Sequence, residues 1–276
     1  MLHITALMDN RPSEHKALIP EHGLSLYLDA GDFRLLFDCG SGPHTLLNAH
    51  RLGIPLDHLD GVALSHSHYD HAAGYRDLIE QGLGSDVLYT GPHFFERKYA
   101  TDGLRYTDLS AGFDPDFLEE NHIRRQEVLG FRQIHSGIWL VSGFPRVHPF
   151  ETIPRRFVRR TEAGFVQDDF CDEICVVLET AQGLAVLVGC SHPGILNMVC
   201  HIEAHFGRPI LGVFGGTHLV EADRERIRTT VDTLCGMGLQ ILGLSHCSGE
   251  GAEDFVRERE DVRSCHLGVG DGIFLA

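Results

Sequence analysis

Ser65-His66-Ser67-His68-Tyr69-Asp70-His71 directly follows the apolar run Gly61-Val62-Ala63-Leu64. That run predicts a short buried strand over residues 61–65. In extended backbone leaving a strand, residues two apart share a side, so His66 and His68 aim at one point. Asp70 and His71 follow at the start of a helix predicted over 70–80. Three imidazoles and a carboxylate within six residues suit Zn²⁺, Mn²⁺ or Fe²⁺ better than Cu⁺. The four donors suffice for two ions, His66 and His68 at one, Asp70 and His71 at the other. The competing reading is surface histidines with Asp70 as a helix N-cap. It is disfavoured because three His and an Asp at this spacing seldom arise by accident.

Outward from this loop the chain reads as layered α/β. Toward the N-terminus, residues 2–7, 24–28 and 33–37 are short apolar runs broken by Gly and Asp, as strands are. Asp29-Ala30-Gly31-Asp32 is a hairpin turn between two of them. A helix is predicted over 45–52, stopped by Gly53. Toward the C-terminus, strands at 174–179, 184–188, 210–214 and 239–244 alternate with helices at 193–206, 221–235 and 251–259. The middle, residues 99–172, is rich in Arg, Phe, Asp and Gly and poorly periodic. It reads as an inserted cover over a site within a single domain, 1–276.

Composition narrows the function. The chain has 276 residues, 43% hydrophobic and 22% charged, ordinary for a globular protein. With 39 acidic and 23 basic residues the net charge is −16, which argues against a general nucleic-acid binder. Basic residues concentrate between Arg97 and Arg160, eleven Lys and Arg against eight Asp and Glu, which hints at an anionic small ligand. No apolar run approaches the roughly 20 residues of a membrane helix, and the N-terminus lacks the pattern of a signal peptide. Eight cysteines without a Cys-x-x-Cys pair point to reduced thiols in a cytoplasm. Nineteen histidines are unusual and lean toward a transition-metal site.

His-x-His-x-Asp-His after a strand resembles the signature of the metallo-β-lactamase superfamily. The resemblance extends to Glu21-His22-Gly23-Leu24-Ser25, Phe37-Asp38-Cys39-Gly40, Gly189-Cys190-Ser191-His192-Pro193-Gly194, Gly215-Gly216-Thr217-His218-Leu219 and His246-Cys247-Ser248-Gly249. These strings are similar to a subgroup that includes the archaeal synthase joining a dihydropterin to ribofuranosylaminobenzene phosphate. The resemblance implies a four-layer αββα sandwich with metals at the edge between two sheets. It implies that His246 is the last ligand and that a bridging group stands near Cys190. Many members carry Asp at that strand end; this chain offers Cys190 and, two residues on, His192. Many also carry a His before the strand pair, where this chain has Gln167-Asp168-Asp169-Phe170-Cys171-Asp172-Glu173. Either Asp168 or Asp169 replaces that ligand, or one metal position is weaker.

The expected metal ligands are therefore His66, His68, Asp70, His71, His192, His246 and Cys190, with Asp169 in reserve and Asp70 also catalytic. His218, after two glycines, and His22 are expected at the substrate. Arg155 and Arg156, with Arg159, Arg160, Arg124 and Arg125 behind them, are candidates for binding a phosphate or carboxylate. The anticipated cofactor is two divalent transition-metal ions, zinc first, manganese or iron next. The chemistry expected is hydrolysis of a small anionic ester, lactone, phosphoester or pyrophosphate by a metal-activated water. The alternatives are transfer of a dihydropterin from its pyrophosphate to an aromatic acceptor, and metal-dependent binding without catalysis. No nucleic acid or membrane partner is expected, and the oligomeric state is left open. Cys247-Ser248-Gly249 precedes a helix and offers backbone N–H groups to an anion, or else Ser248 simply caps that helix.

Overall fold

The strand Ile174–Glu179 shows how the layers arise. Side chains alternate along it, so Ile174, Val176 and Leu178 enter one apolar cluster and Cys175 and Val177 another. Arg34–Phe37 divides likewise, with Leu35 and Phe37 on one side and Leu36 on the other. Both strands are apolar on two faces because each sheet is covered twice. Each fully buried Leu, Ile or Phe contributes about 1.5–3 kcal/mol, so double coverage multiplies the gain per strand.

The computed structural model describes residues 1–276. One seven-stranded sheet runs Gly272–Leu275, Leu2–Met8, Ser25–Asp29, Arg34–Phe37, Gly61–Ala63, Val87–Thr90 and Arg124–Glu127, in spatial order. The other runs Arg263–Ser264, Ile241–Leu244, Ile210–Gly215, Leu184–Val188, Ile174–Glu179, Ile138–Ser142 and Phe131–His135. The sheets share a central core, with Leu26, Leu35 and Ala63 from the first meeting Leu140, Leu187 and Phe214 from the second. Helices His44–Leu52 and Gly74–Glu80 cover the first sheet's outer face. Helices Ile195–Phe206, Arg224–Gly236 and Glu250–Arg257 cover the second's. This is the αββα order.

Most elements fall within two or three residues of expectation, and Gly53 ends the first helix in the left-handed region as expected. The helix predicted over 70–80 is instead two, Tyr69–Ala72 and Gly74–Glu80. The Gly74 N–H donates to Gly40 O at 3.0 Å rather than continuing the helix. A Cβ at Gly74 would collide with Cys39 O, so backbone lies directly on backbone there.

The cover is smaller than the predicted insert 99–172. Arg124–Glu127 completes the first sheet, and the hairpin of Phe131–His135 and Ile138–Ser142 completes the second. Only Lys98–Thr101, Tyr106–Asp108, Phe157–Thr161 and Gly164–Gln167 form a separate four-stranded sheet. Arg124–Glu127 escapes notice in the sequence because an edge strand carries charged residues and needs no apolar alternation.

Parallel pairing sets the site. Arg34–Phe37 and Gly61–Ala63 run parallel, as do Leu184–Val188, Ile210–Gly215 and Ile241–Leu244. Their C-terminal ends deliver the loops at 38–40, 64–68, 189–192, 216–218 and 245–248 to one edge of the sandwich.

Candidate metal centre

Six residues converge at that edge with their side chains withdrawn from solvent: His66, His68, Asp70, His71, His192 and His246, each at most 8% exposed. Their donor atoms, with those of Cys190, Cys247 and His22, form overlapping triplets. These are His66–His68–His192, His66–His71–Cys190, Cys190–His246–Cys247 and His22–Asp70–His246, each within 4.8 Å. Cys190 belongs to two triplets and lies between the two ends of the cluster.

The donor set fits a cation. His66 Nε2, His68 Nε2 and both ring nitrogens of His192 are buried without a hydrogen-bond partner. A buried polar atom left unpaired costs about 1–3 kcal/mol, so one from each of three converging rings signals a partner of another kind. Burial, reinforced by neighbouring cationic groups, holds the pKa of His66, His68 and His192 well below the usual histidine value. The rings are neutral and their lone pairs are free for a metal. His71 Nε2 and His246 Nε2 face one another at 3.1 Å. Such a pair of ring nitrogens needs a cation or a proton between them.

The far sides of the rings are held by hydrogen bonds. His71 Nδ1 lies 2.7 Å from Asp38 Oδ2, and Asp38 also accepts from Ser65 N at 2.6 Å and Ser65 Oγ at 2.8 Å. His246 Nδ1 lies 3.0 Å from Asn10 Oδ1, and the His246 N–H donates to Asp9 Oδ1 at 2.8 Å. Such contacts fix tautomer and ring orientation, leaving Nε2 as the free donor. Asp70 Oδ2 lies 3.1 Å from His22 Nε2 and 3.4 Å from His246 Nε2. Burial would raise the Asp70 pKa, but His71, His22 and His246 outweigh it and keep the carboxyl ionised. The loop carrying His192 is fastened by buried Glu173, which accepts from Ser191 N and, at 2.8 Å, from His192 N. Burial is also the main cause that raises the Glu173 pKa to about 8.

A buried ion pair underlies the other end. Lys98 Nζ bonds Asp172 Oδ1 at 2.5 Å and lies 3.2 Å from Asp168 Oδ2. Asp172 also accepts from Ser67 N at 2.9 Å, between His66 and His68. The ammonium sits 4.2 Å from the centre of the Phe170 ring, and Phe170 stacks on His192 at 3.7 Å. One lysine from the cover thus touches the supports of His66, His68 and His192.

A cavity of about 290 Å³ opens beside the cluster, lined by His22, His68, Tyr69, Asp70, Cys190, His192, His218 and His246 among others. His218 is on its wall, its ring 4.5 Å from that of His192, and burial lowers its pKa to about 4. Arg156 is on the wall too, its guanidinium 4.0 Å over the Phe157 ring and paired with Glu221.

Several expectations are corrected. Arg155 lies in a separate surface depression with Asp168 and Asp169, away from the metal donors. Arg159 is engaged by Glu96 and lies 3.7 Å from Asp169. Arg160 lies over the Phe165 ring of the cover. Arg124 and Arg125 lie on the edge strand, where Arg125 bonds Thr90 and Gly91. Neither Asp168 nor Asp169 joins a donor triplet; Asp168 is neutralised by Lys98, and Asp169 pairs weakly at the surface. Ser248 does not cap the final helix, whose N-cap is Gly249; its Oγ accepts instead from Thr217 N. Asp9, Asn10, Glu173, Lys98 and Glu221 were not singled out from the sequence. A polar residue after an apolar strand, as Asp9 and Asn10 are, was the available signal.

With the geometry in place, the comparisons agree with it. Residues 18–83 match the model of the metallo-β-lactamase superfamily. That stretch carries the superfamily's domain signature, and the chain as a whole has the fold of its structural neighbours. It is 29% identical to the 7,8-dihydropterin-6-methyl-4-(β-D-ribofuranosyl)-aminobenzene-5′-phosphate synthase of Methanocaldococcus jannaschii, over 90% of this chain and 88% of that one. It is 28% identical to an uncharacterized protein of the same organism, over 98% and 100% of the two chains. A crystal structure of a metal-dependent hydrolase of the β-lactamase superfamily superposes with a TM-score of 0.84 at 27% identity, over 99% of each chain.

Proposed function

We propose that the protein is a two-metal hydrolase of a small anionic substrate, with water as the nucleophile. The observation that carries this is the unpartnered donor set of His66, His68 and His192 beside a cavity with Arg156 on its wall. His66, His68 and His192 would hold one cation and Asp70, His71 and His246 the other, with Cys190 near both sets of donors. Zinc suits this nitrogen-, oxygen- and sulfur-bearing set, with manganese or iron next. Bound cations supply Lewis acidity, lowering the pKa of a water and polarising the substrate's oxygen. Asp70, kept ionised and 3.1 Å from His22, orients the water and accepts its proton. His218 and His22, both on the cavity wall, contact the substrate, and Arg156 binds its anionic group by exchanging Glu221 for it. A small-molecule role in a reducing cytoplasm is supported by eight free thiols.

A second reading, transfer to an organic acceptor, is favoured by the likeness to the M. jannaschii synthase over most of both chains. The same residues serve either reaction; the nucleophile differs. The deciding experiment is turnover by the zinc-, manganese- or iron-loaded protein on phosphoesters, lactones and pyrophosphates in ¹⁸O-water. Label in the product supports hydrolysis. Turnover that requires an added aromatic acceptor and leaves product unlabelled supports transfer. Full metal occupancy with no turnover on any substrate supports a binding protein.

A further inference from the structure

One thiol at the site has no part in the chemistry above. Cys247 follows His246 directly, and its sulfur lies within 4.8 Å of the donor atoms of both Cys190 and His246. The chain makes room for it. A Cβ at Gly216 would come within 2.5 Å of Cys247 Sγ, and Gly216 does not occupy the left-handed region, so glycine here provides space rather than a special backbone angle. The His218 N–H donates to this sulfur at 3.3 Å, which makes it an acceptor. Cys247 also lines the cavity, together with Cys190.

We propose that Cys247 is a metal ligand, so that Cys190, His246 and Cys247 make the second cation position a sulfur-bearing one. The proposal rests on the metal-centre reading above and extends its ligand set. Two thiolates added to the imidazoles and carboxylate of that position favour a thiophilic divalent cation, zinc, cobalt or cadmium, over manganese or magnesium. They also distinguish this end of the cluster from the all-nitrogen triplet of His66, His68 and His192. The opposing view makes Cys247 a small core residue whose thiol accepts the His218 N–H and donates to Cys190 O at 3.8 Å.

Cys247→Ser separates the two, because a serine oxygen keeps the acceptor but removes the sulfur. The full-length chain is loaded with two equivalents of Co²⁺ and its absorption recorded for the parent, Cys247→Ser and Cys190→Ser. The parent is expected to show ligand-field bands together with sulfur-to-cobalt charge transfer. Cys247→Ser is expected to lose about half of that charge transfer while keeping the ligand-field bands, as loss of one of two thiolates requires. Its preference for cadmium over manganese falls in parallel. Charge transfer in Cys247→Ser equal to the parent's overturns the proposal and leaves the metal-centre reading standing. Absence of ligand-field bands in the parent overturns both. ¹¹³Cd resonance of the parent chain needs no variant: a shift typical of two sulfurs supports the proposal, and a shift typical of one or none overturns it.

Discussion

The two ends of the donor cluster are held in different ways. At the His66–His68–His192 end the Nε2 atoms have no partner; His66 Nδ1 is held by Ser65 Oγ at 2.9 Å, and further support comes from behind, through the buried Lys98–Asp172 pair and the Phe170 stack. At the Asp70–His71–His246 end the far nitrogens are already bonded, to Asp38 and Asn10, and the carboxylate meets His22. The first end lacks hydrogen-bond satisfaction unless a cation is there. The second is pre-oriented by neutral and charged partners and keeps its shape more readily when empty. Metal loss should therefore disturb the fold unequally, with the loops at 66–68 and 190–192 loosening before those at 9–10 and 245–246.

The largest expected effect tests the second end. Asp70→Asn keeps the volume and removes the carboxylate charge of that end. Metal content should fall from two ions toward one, and turnover by at least ~10³-fold, since two-cation clamping of the reacting oxygens is lost. Metal analysis and steady-state kinetics check it, and unchanged values would remove Asp70 from the centre.

Lys98→Met tests the first end. It leaves Asp168 and Asp172 as unpaired buried carboxylates, at a stability cost of about 3–5 kcal/mol by chemical denaturation. In the double variant Lys98→Met/Asp172→Asn much of that stability should return. Affinity at the His66–His68–His192 position should remain lowered by roughly 10–100-fold, as for loss of groups that orient ligands. Chelator competition measures this, and wild-type affinity in the double variant would show that the ion pair supports the fold without tuning the metal.

How much of this was legible in the sequence depends on distance along the chain. The His66–His71 loop was readable because its donors are contiguous and follow an apolar run. His246 and the segment 190–192 were readable as strand ends, through the resemblance. Lys98 and Asp172 were not, because 74 positions separate them and each alone resembles a surface charge. The same holds for Asn10 and His246, 236 positions apart. The arginines failed for a related reason. Composition located a basic segment, but Arg155 and Arg156 sit in the turn before the strand Phe157–Thr161, and of the two only the second faces the cavity. The edge strand Arg124–Glu127 hid within the predicted cover because pairing on one side leaves no apolar signature.

Arg156→Ala sharpens the comparison from the substrate side. Removing it should raise KM for an anionic substrate about tenfold, near the 1.5 kcal/mol of a charged hydrogen bond, with kcat changed little. A neutral substrate analogue should not register the change. Equal losses for both would place Arg156 in the fold rather than in recognition.

The smallest effect concerns the support of the second end. His266 bonds Asp9 at 2.9 Å, and Asp9 in turn receives the His246 N–H. Burial opposes its charge, but hydrogen bonds to Asp9 and Glu253 outweigh that and raise its pKa to about 9. A raised folded-state pKa gives stability that is complete below about pH 6.5, the unfolded value, and lost as pH rises through about 9. Wild type should lose stability across that window, and His266→Gln should lose less. Parallel curves for the two proteins would contradict the assignment.

Anomalous diffraction at the zinc edge, from crystals grown with Zn²⁺, tests most directly whether two cations occupy this cluster. Two peaks per chain are expected, one among His66, His68 and His192, the other among Asp70, His71 and His246, with the Cys190 sulfur between them. A single peak, or none with the histidine nitrogens bridged by water alone, would contradict the two-metal centre.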